Sequence, residues 1–319
     1  MNKKDNKCLV LVVPCFDEQE VLKKTNGELL MLLNNLVDEN LIDSSSYIYY
    51  VDDGSNDDTW AIIKQLCEKH KSVRGLKLSK NFGYQNALLA GLTRVNDKCD
   101  FVVTIDADLQ QDINAIPKMI EKYFLGSEIV FGIRNSRKGE PIIKKVTGVL
   151  FNKILKILGG KLIEDHADFR LMGKNALKAL LQHSENNIFI RGLVSDLGFQ
   201  TSIVKFHQNK RELGKTKYNL FKMFNLAYNG LSSITVKPLR FLLFIGLIST
   251  FVSIMWAIYV LYAKFVTGGI VPGWASIVLS IWFFSSIQLV ALGLIGEYLS
   301  KIFFDVKKRP RFIIENEVA

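Results

Sequence analysis

Two long uncharged stretches near the carboxyl end constrain this chain most. From Phe241 to Ala263, and again from about Ile270 to Gly296, no charged side chain occurs. Each run exceeds the roughly 20 residues a helix needs to cross a bilayer, so the pattern predicts two transmembrane helices joined by a short connector around Lys264 to Pro272. Lys237 and Arg240 precede the first run, and Lys301, Lys307, Lys308, Arg309 and Arg311 follow the second. Because cytoplasmic flanks carry the excess of Lys and Arg, both ends of this hairpin and both termini are expected on the cytoplasmic side of the plasma membrane. The opening agrees: Met1 to Lys7 is charged, and the apolar run from Cys8 to Pro14 is too short for the core of a cleavable signal. Cys8, Cys15, Cys67 and Cys99 have no paired metal spacing and are expected as reduced packing thiols.

The residues before the hairpin suffice for one large domain, in a chain of 319 residues with 49% apolar content and a net charge of +10. They alternate strand and helix. An apolar strand over Lys7 to Val13 ends at Pro14, and Cys15-Phe16-Asp17-Glu18-Gln19-Glu20 is expected to open a helix running to about Asn40. A second strand, Tyr47 to Val51, runs into Asp52-Asp53-Gly54-Ser55-Asn56-Asp57-Asp58-Thr59, where Gly54 permits a tight turn and Asp58 or Thr59 can cap a helix over Trp60 to His70. Val73 to Leu78 is the third strand, with a small-residue helix through Gly91 after it, and Phe101 to Ile105 is the fourth. Strand and helix in this rhythm predict a mostly parallel sheet covered on both faces, with ligands outside the carboxyl ends of the strands.

That edge is acidic. The fourth strand leads into Asp106-Ala107-Asp108, two carboxylates able to reach one hard divalent cation, Mg²⁺ or Mn²⁺, of the kind shared with substrate phosphates. An Asp-x-Asp after a strand is by itself common turn chemistry. Here the second strand adds Asp52 and Asp53, whose carboxylates can accept from a nucleobase N–H or ribose hydroxyls. No G-x-G-x-x-G follows the first strand and no Walker lysine loop occurs, which leaves a dinucleotide or P-loop reading without its phosphate cradle.

VVPCFDEQE, VDDGSNDDT, NFGYQNALLAGL and DADLQQD together resemble the family 2 glycosyltransferases of the GT-A fold, in the branch that acts on polyisoprenyl phosphates; FGIRNSR, ADFRLM, FIRGLV, RELGKTKY, VKPLR and GEYLSKI extend the likeness over nearly the whole chain. The resemblance implies a GT-A domain followed by amphipathic interfacial helices and the transmembrane pair. Carried over position by position, it implies that Pro14, Phe16 and Glu18 line a nucleotide pocket with Asp52 and Asp53, and that Asp106 lies against the nucleotide. Asp108 would hold the metal under the diphosphate, with support from Gln110. Phe16 and Asp17 replace the tyrosine and asparagine usual in the family, and Asp112-Ile113 stands where a proline is often found.

Beyond the nucleotide half the chain turns basic: Arg134, Arg137, Lys144, Lys145, Arg170, Arg191, Lys210, Arg211, Lys215 and Lys217. Any one of these could be a solvated surface charge. By the resemblance, Arg134 and Arg137, with Arg191, would bind a lipid phosphate, and Arg211, Lys215 and Lys217 would close over the diphosphate. Asp168 is expected nearest the reaction centre as base, as orienting group, or as ion-pair partner of Arg170 or another arginine. Apolar faces at 146–157 and 221–231 carry basic neighbours and fit either the sheet or anionic headgroups.

The expected organisation is a cytosolic catalytic domain over 1–209, an acceptor loop and juxtamembrane helix over 210–239, the hairpin over 240–299 and a basic tail over 300–319. The expected reaction moves one sugar, with inversion, from a nucleotide-sugar, UDP-linked by preference, to undecaprenyl phosphate. No nucleic acid is expected as partner. A homo-oligomer, for instance a tetramer, is expected through transmembrane helices whose Gly246, Gly293 and Gly296 permit close approach. A processive polysaccharide synthase would share the nucleotide motifs, but Trp60, Trp256, Trp274 and Trp282 include no Gln-x-x-Arg-Trp. A nucleotide-binding scaffold without turnover has no need of a metal and a lipid-phosphate site together.

Overall fold

The computed structural model describes residues 7–135, 166–185, 189–207 and 273–318, together with 244–246, 248–249, 251–252, 254–255, 258–259, 262 and 265–266. Four strands form near their expected bounds: β1 (Leu9–Cys15), β2 (Tyr47–Asp52), β3 (Val73–Leu78) and β4 (Phe101–Thr104). Every residue of β1 and β2 is buried. This is the continuous apolar signature of parallel strands covered on both sides. Between them run α1 (Leu22–Asp38), α2 (Thr59–Lys69) and α3 (Tyr84–Val95). The later part adds α4 (Ile116–Phe124), β5 (Ile129–Arg134), β6 (His166–Gly173), α5 (Lys174–Leu181), α6 (Ile190–Asp196) and β7 (Thr201–Phe206).

The eight-stranded sheet has the order β7-β5-β6-β4-β1-β2-β3-β8, with β8 at Ile314–Val318. β1 pairs in parallel with β2 and β4, and β2 with β3, whereas β6 enters antiparallel between β4 and β5. One core, with Leu22, Leu29, Ile63 and Ile116, lies under α1, α2 and α4. The other, with Leu88, Leu92, Leu177 and Val194, lies under α3, α5 and α6. The result is a GT-A-like, mostly parallel sheet covered on both faces. All four cysteines are free and three are buried, as packing thiols should be.

Two local expectations shift. α1 begins at Leu22, later than the expected start at Cys15 to Glu20, because that segment is held as a loop: Asp17 adopts φ 50° and gives its N–H to the Ser55 hydroxyl. At α2 Asp58 is the N-cap residue, as expected, but its side chain makes no cap bond; the N–H of Thr59 bonds instead to Asp57 Oδ1 at 3.0 Å.

The carboxyl-terminal region departs further. Of the two expected spans, one helix among the described residues is long and apolar enough to cross a bilayer: α7 (Trp274–Val306), whose stretch Phe283–Val306 has mean hydropathy 1.5 and none of whose apolar window is buried. It continues past the Gly296 at which the uncharged run stops. The described residues between 244 and 262 are helical, and the rest of the Phe241–Ala263 run, like the stretches at 146–157 and 221–231, lies outside the described residues. After α7 the tail, read from sequence only as basic, returns to the domain as β8, antiparallel to β3 with Gly75 opposite Val318 and Lys77 opposite Asn316. Tyr49 Oη donates to Glu317 Oε1 at 2.7 Å, Lys77 pairs with Glu315 at 2.9 Å, and the Ser79 N–H bonds the Ile313 carbonyl at 2.9 Å.

Candidate active site

Parallel strands end together, and here β1, β2 and β4 deliver their following loops to one edge. The β1–α1 and β2–α2 loops are laced to each other. Besides the Asp17 bond to Ser55, the Glu18 N–H reaches the Thr59 hydroxyl at 2.9 Å and the Asn56 N–H reaches Asp17 Oδ1 at 2.9 Å. Asp17 tolerates its left-handed backbone because Asp and Asn visit that region far more readily than most residues. Pro14, within buried β1, and the half-buried Phe16 and Glu18 border this lacing.

Asp53 has a structural duty as well as an expected ligand. Its Oδ1 accepts from the Phe82 N–H at 2.8 Å and its Oδ2 from the Gly83 N–H at 2.9 Å, so it fixes the turn before α3. Burial, with a smaller push from Asp52, raises its pKa to about 6 against the lowering effect of those two bonds. Gly54, at φ 66°, lies against the same turn: a Cβ there would come within 2.3 Å of the Lys80 carbonyl carbon. Asp52 is fully buried; Ser55 N–H serves its Oδ1 at 3.2 Å, while Oδ2 meets no hydrogen-bond partner among the described residues. Burial pushes the Asp52 carboxyl up, against the lowering effect of the Ser55 bonds.

At the centre, the turn after β4 is built to present carboxylates. Leu109 takes φ 53°, the Gln110 N–H bonds Asp108 Oδ1 at 3.1 Å, and the Thr25 hydroxyl of α1 holds the Ala107 carbonyl at 2.6 Å. Asp106 accepts from Tyr84 Oη at 2.7 Å and from Gln111 Nε2 at 2.6 Å, and its own N–H bonds Gln111 Oε1 at 3.0 Å. Burial first, then the neighbouring Asp168 and Asp108, push the Asp106 carboxyl up to about 6, against the lowering effect of the Tyr84 bond.

Asp168 reaches this centre through strand register. Thr104 of β4 pairs with Arg170 of β6, so Asp168 lies beside the strand end that leads into Asp106, and the Thr104 hydroxyl bonds its carbonyl. Its carboxylate is clamped between two arginines. Arg191 Nε lies 3.0 Å from each oxygen and its Nη2 2.5 Å from Oδ2, while Arg170 Nη2 lies 2.5 Å from Oδ1. Arg170 is fully buried, and its Nε and Nη1 meet no hydrogen-bond partner among the described residues. The Arg191 side chain is 42% exposed. Burial lowers the Arg170 pKa; at Arg191 burial acts the same way, but the Asp168 charge outweighs it and holds the guanidinium protonated.

The edge thus gathers Asp52, Asp53, Asp106, Asp108, Gln110, Asp168 and Arg191 at the ends of neighbouring strands and α6. Arg134, at the carboxyl end of β5, comes to the same edge by strand direction. Arg137, Arg211, Lys215 and Lys217 lie outside the described residues. Sequence reading passed over Tyr84, Gln85 and Gln111; the doubled glutamine of DADLQQD was a signal for the last. A groove of about 1270 Å³ between α1 and α2, bordered by Asn26, Gln65, Lys69 and Arg74, contains none of the expected site residues.

Among the described residues no three His, Cys, Asp or Glu side chains form a ready metal cage. The donor set still fits a hard cation. Mg²⁺ is commonly held by one or two carboxylates and completed by substrate phosphates, and Asp106 and Asp108 stand one residue apart in the turn that follows β4.

Residues 10–181 match the family model described as glycosyl transferase family 2. The chain is 44% identical over 313 residues to the uncharacterized glycosyltransferase YkoT of Bacillus subtilis (strain 168), covering 98% of this chain and 93% of the relative. It is 35% identical over 311 residues to the bactoprenol glucosyl transferase of Shigella phage SfV, covering 96% and 98%. It is 34% identical over 309 residues to the prophage bactoprenol glucosyl transferase homolog of Escherichia coli (strain K12), covering 96% and 97%.

Proposed function

The chain belongs to glycosyltransferase family 2, and from that membership we propose that it transfers one sugar from a nucleotide-sugar to a polyprenyl phosphate, undecaprenyl phosphate in the first instance, at the cytoplasmic face of a membrane. The observation that carries the reading is the meeting, at one sheet edge, of the Asp106–Asp108 turn with the arginine-clamped Asp168. Relatives named as bactoprenol glucosyl transferases support the acceptor class and make glucose the first sugar to test. The long apolar α7 supports membrane attachment, with the first uncharged run as its partner in a two-helix hairpin.

Asp53 and the unserved Oδ2 of Asp52 accept hydrogen bonds from the base or ribose. Pro14, Phe16 and Glu18 wall the nucleotide, and Arg211, Lys215 and Lys217 bind the diphosphate. Asp108, with Asp106 and Gln110, would hold Mg²⁺ or Mn²⁺, which when bound neutralises the diphosphate and stabilises it as leaving group. Arg191, oriented by Asp168, receives the acceptor phosphate with Arg134 and Arg137.

A phosphate monoester has its second pKa near 6, so at neutral pH it is mostly a dianion and needs no strong base. One acceptor oxygen forms a bond to the anomeric carbon as the bond from that carbon to the diphosphate oxygen breaks. The nucleoside diphosphate leaves with the electron pair, and configuration inverts. Asp168, engaged by two guanidiniums, is therefore a positioning residue for them; its charge offsets only part of theirs and leaves positive charge for the incoming phosphate.

The test is transfer of radiolabelled sugar to undecaprenyl phosphate in detergent, scanning UDP- and GDP-sugars with Mg²⁺ or Mn²⁺ beside Asp108→Ala. A chloroform-soluble product from one donor, reduced at least about 100-fold in the variant, is the expected result. Nucleotide binding with no lipid-linked product from any donor would overturn the acceptor assignment.

A further inference from the structure

The start of α3 touches the expected donor half and the expected acceptor half of the site at once. On one side, Asp53 of the β2 loop holds the Phe82 and Gly83 N–H groups, and Gly54 packs against Lys80. Gly83 itself sits at φ 89°, a backbone that other residues rarely adopt, which fixes where α3 begins. On a second side, Tyr84 Oη donates to Asp106 Oδ1 at 2.7 Å. On the third, Gln85 Oε1 accepts the Ile190 N–H at 3.0 Å, across 105 residues of sequence. Ile190 is the first residue of α6, and the next residue is Arg191, the arginine held by Asp168.

These contacts form one chain of direct hydrogen bonds and adjacent residues: Asp53 to the 82–83 turn, Tyr84 to Asp106, Gln85 to α6, Arg191 to Asp168. From this we propose that Tyr84 and Gln85 are positioning residues that couple nucleotide binding to binding of the acceptor phosphate. A nucleoside diphosphate with its cation, engaging Asp53 and Asp106, fixes the first turn of α3; Gln85 then fixes the first turn of α6 and the direction of Arg191. Coupling between two sites is reciprocal, so the acceptor must tighten the nucleotide by the same factor. Neither side chain reads as chemistry in the sequence: a tyrosine and a glutamine at the start of a small-residue helix look like packing. The inference rests on the transferase reading above and adds to it a mutual dependence between the two substrates.

The experiment uses the full chain in detergent. The Kd of UDP with Mn²⁺ is measured by calorimetry without and with saturating undecaprenyl phosphate, and the Kd of undecaprenyl phosphate is measured without and with saturating UDP and Mn²⁺. In the wild type each ligand is expected to tighten the other by about 5-fold or more, within the ordinary range of coupling between sites. Gln85→Leu keeps the side-chain volume but removes the acceptor for Ile190. It should bring the factor close to one while the Kd of UDP alone moves less than about 2-fold. Gln85→Glu retains a carboxyl oxygen at that position and should restore the coupling, which a purely structural role would not do. Tyr84→Phe should weaken the coupling from the donor side. Equal coupling in wild type and Gln85→Leu, with both ligands bound, overturns the inference and leaves the transferase reading standing. Failure of the wild type to bind undecaprenyl phosphate overturns the transferase reading and the coupling with it.

Discussion

At the scale of single residues the site is a set of carboxylates, each serving two tasks, and the doubling makes them separable by experiment. Asp168 is the sharpest case. Replacing it by Asn should leave nucleotide affinity unchanged and raise KM for the lipid phosphate, costing about 100-fold in kcat/KM, or ~2.7 kcal/mol. The pH profile should keep its shape; a lost limb in that profile with acceptor KM intact would instead identify a general base. Asp53 carries a pH signature. Its folded pKa of about 6 stands above the ordinary carboxylate value, so its contribution favours folding fully below about pH 4 and is lost as pH rises through 6. Nucleotide binding runs the other way, since the ionised oxygens are the acceptors: calorimetric affinity for UDP should fall as pH drops below about 6, and Asp53→Asn should flatten that dependence. Asp52 and Asp53 were legible as strand-end carboxylates at the sheet edge because they follow the apolar run of β2. The partners of Asp168 were not, because Arg191 lies 23 residues away and the bond depends on where α6 begins.

At the scale of elements, β1, β2 and β4 were legible because a parallel strand buried on both faces reads as a near-continuous apolar run, and β3, with Arg74 and Lys77 half-buried between buried neighbours, by its place in the alternation of strand and helix. β8 was not: Ile-Glu-Asn-Glu-Val at the sheet edge keeps its glutamates in contact with solvent and with Lys77, Arg94 and Tyr49, so its sequence looks like a tail. The start of α1 was misread for a related reason, since the loop before it is stabilised by bonds to a segment some 40 residues on, which no local propensity records. Tyr49→Phe, removing one bond to β8, should lower stability by about 1 kcal/mol in denaturant unfolding. Removing residues 311–319 should do more, lowering the melting temperature and speeding amide exchange along β3, whose edge is then open. Unchanged exchange in β3 would mean that β8 contributes nothing to the sheet in solution. Gly54→Ala combines a disfavoured backbone with a collision against Lys80 and should cost about 2 kcal/mol or more by the same unfolding measurement.

At the scale of the whole molecule, the fold and the candidate donor site were legible from strand rhythm and acidic strand ends, and the acceptor side only as an excess of basic residues. The uncharged runs make a membrane claim that can be checked directly. The protein should stay with membranes through an alkaline carbonate wash, and protease should cut the catalytic domain in inverted vesicles but not in right-side-out ones; cleavage in both would overturn the topology. The return of the chain from α7 into β8 then has a kinetic consequence. The link from Lys307 to Ile313 can extend only about 25 Å, and β8 enters the sheet at the carboxyl end of β3, on the edge that carries the site. On the proposed reading, a transferase held so close to one leaflet would search for its lipid in two dimensions. With the nucleotide-sugar kept saturating, its rate should follow the mole fraction of polyprenyl phosphate in the bilayer and be indifferent to bulk dilution, so that adding inert phospholipid at constant total lipid substrate slows turnover while adding buffer does not.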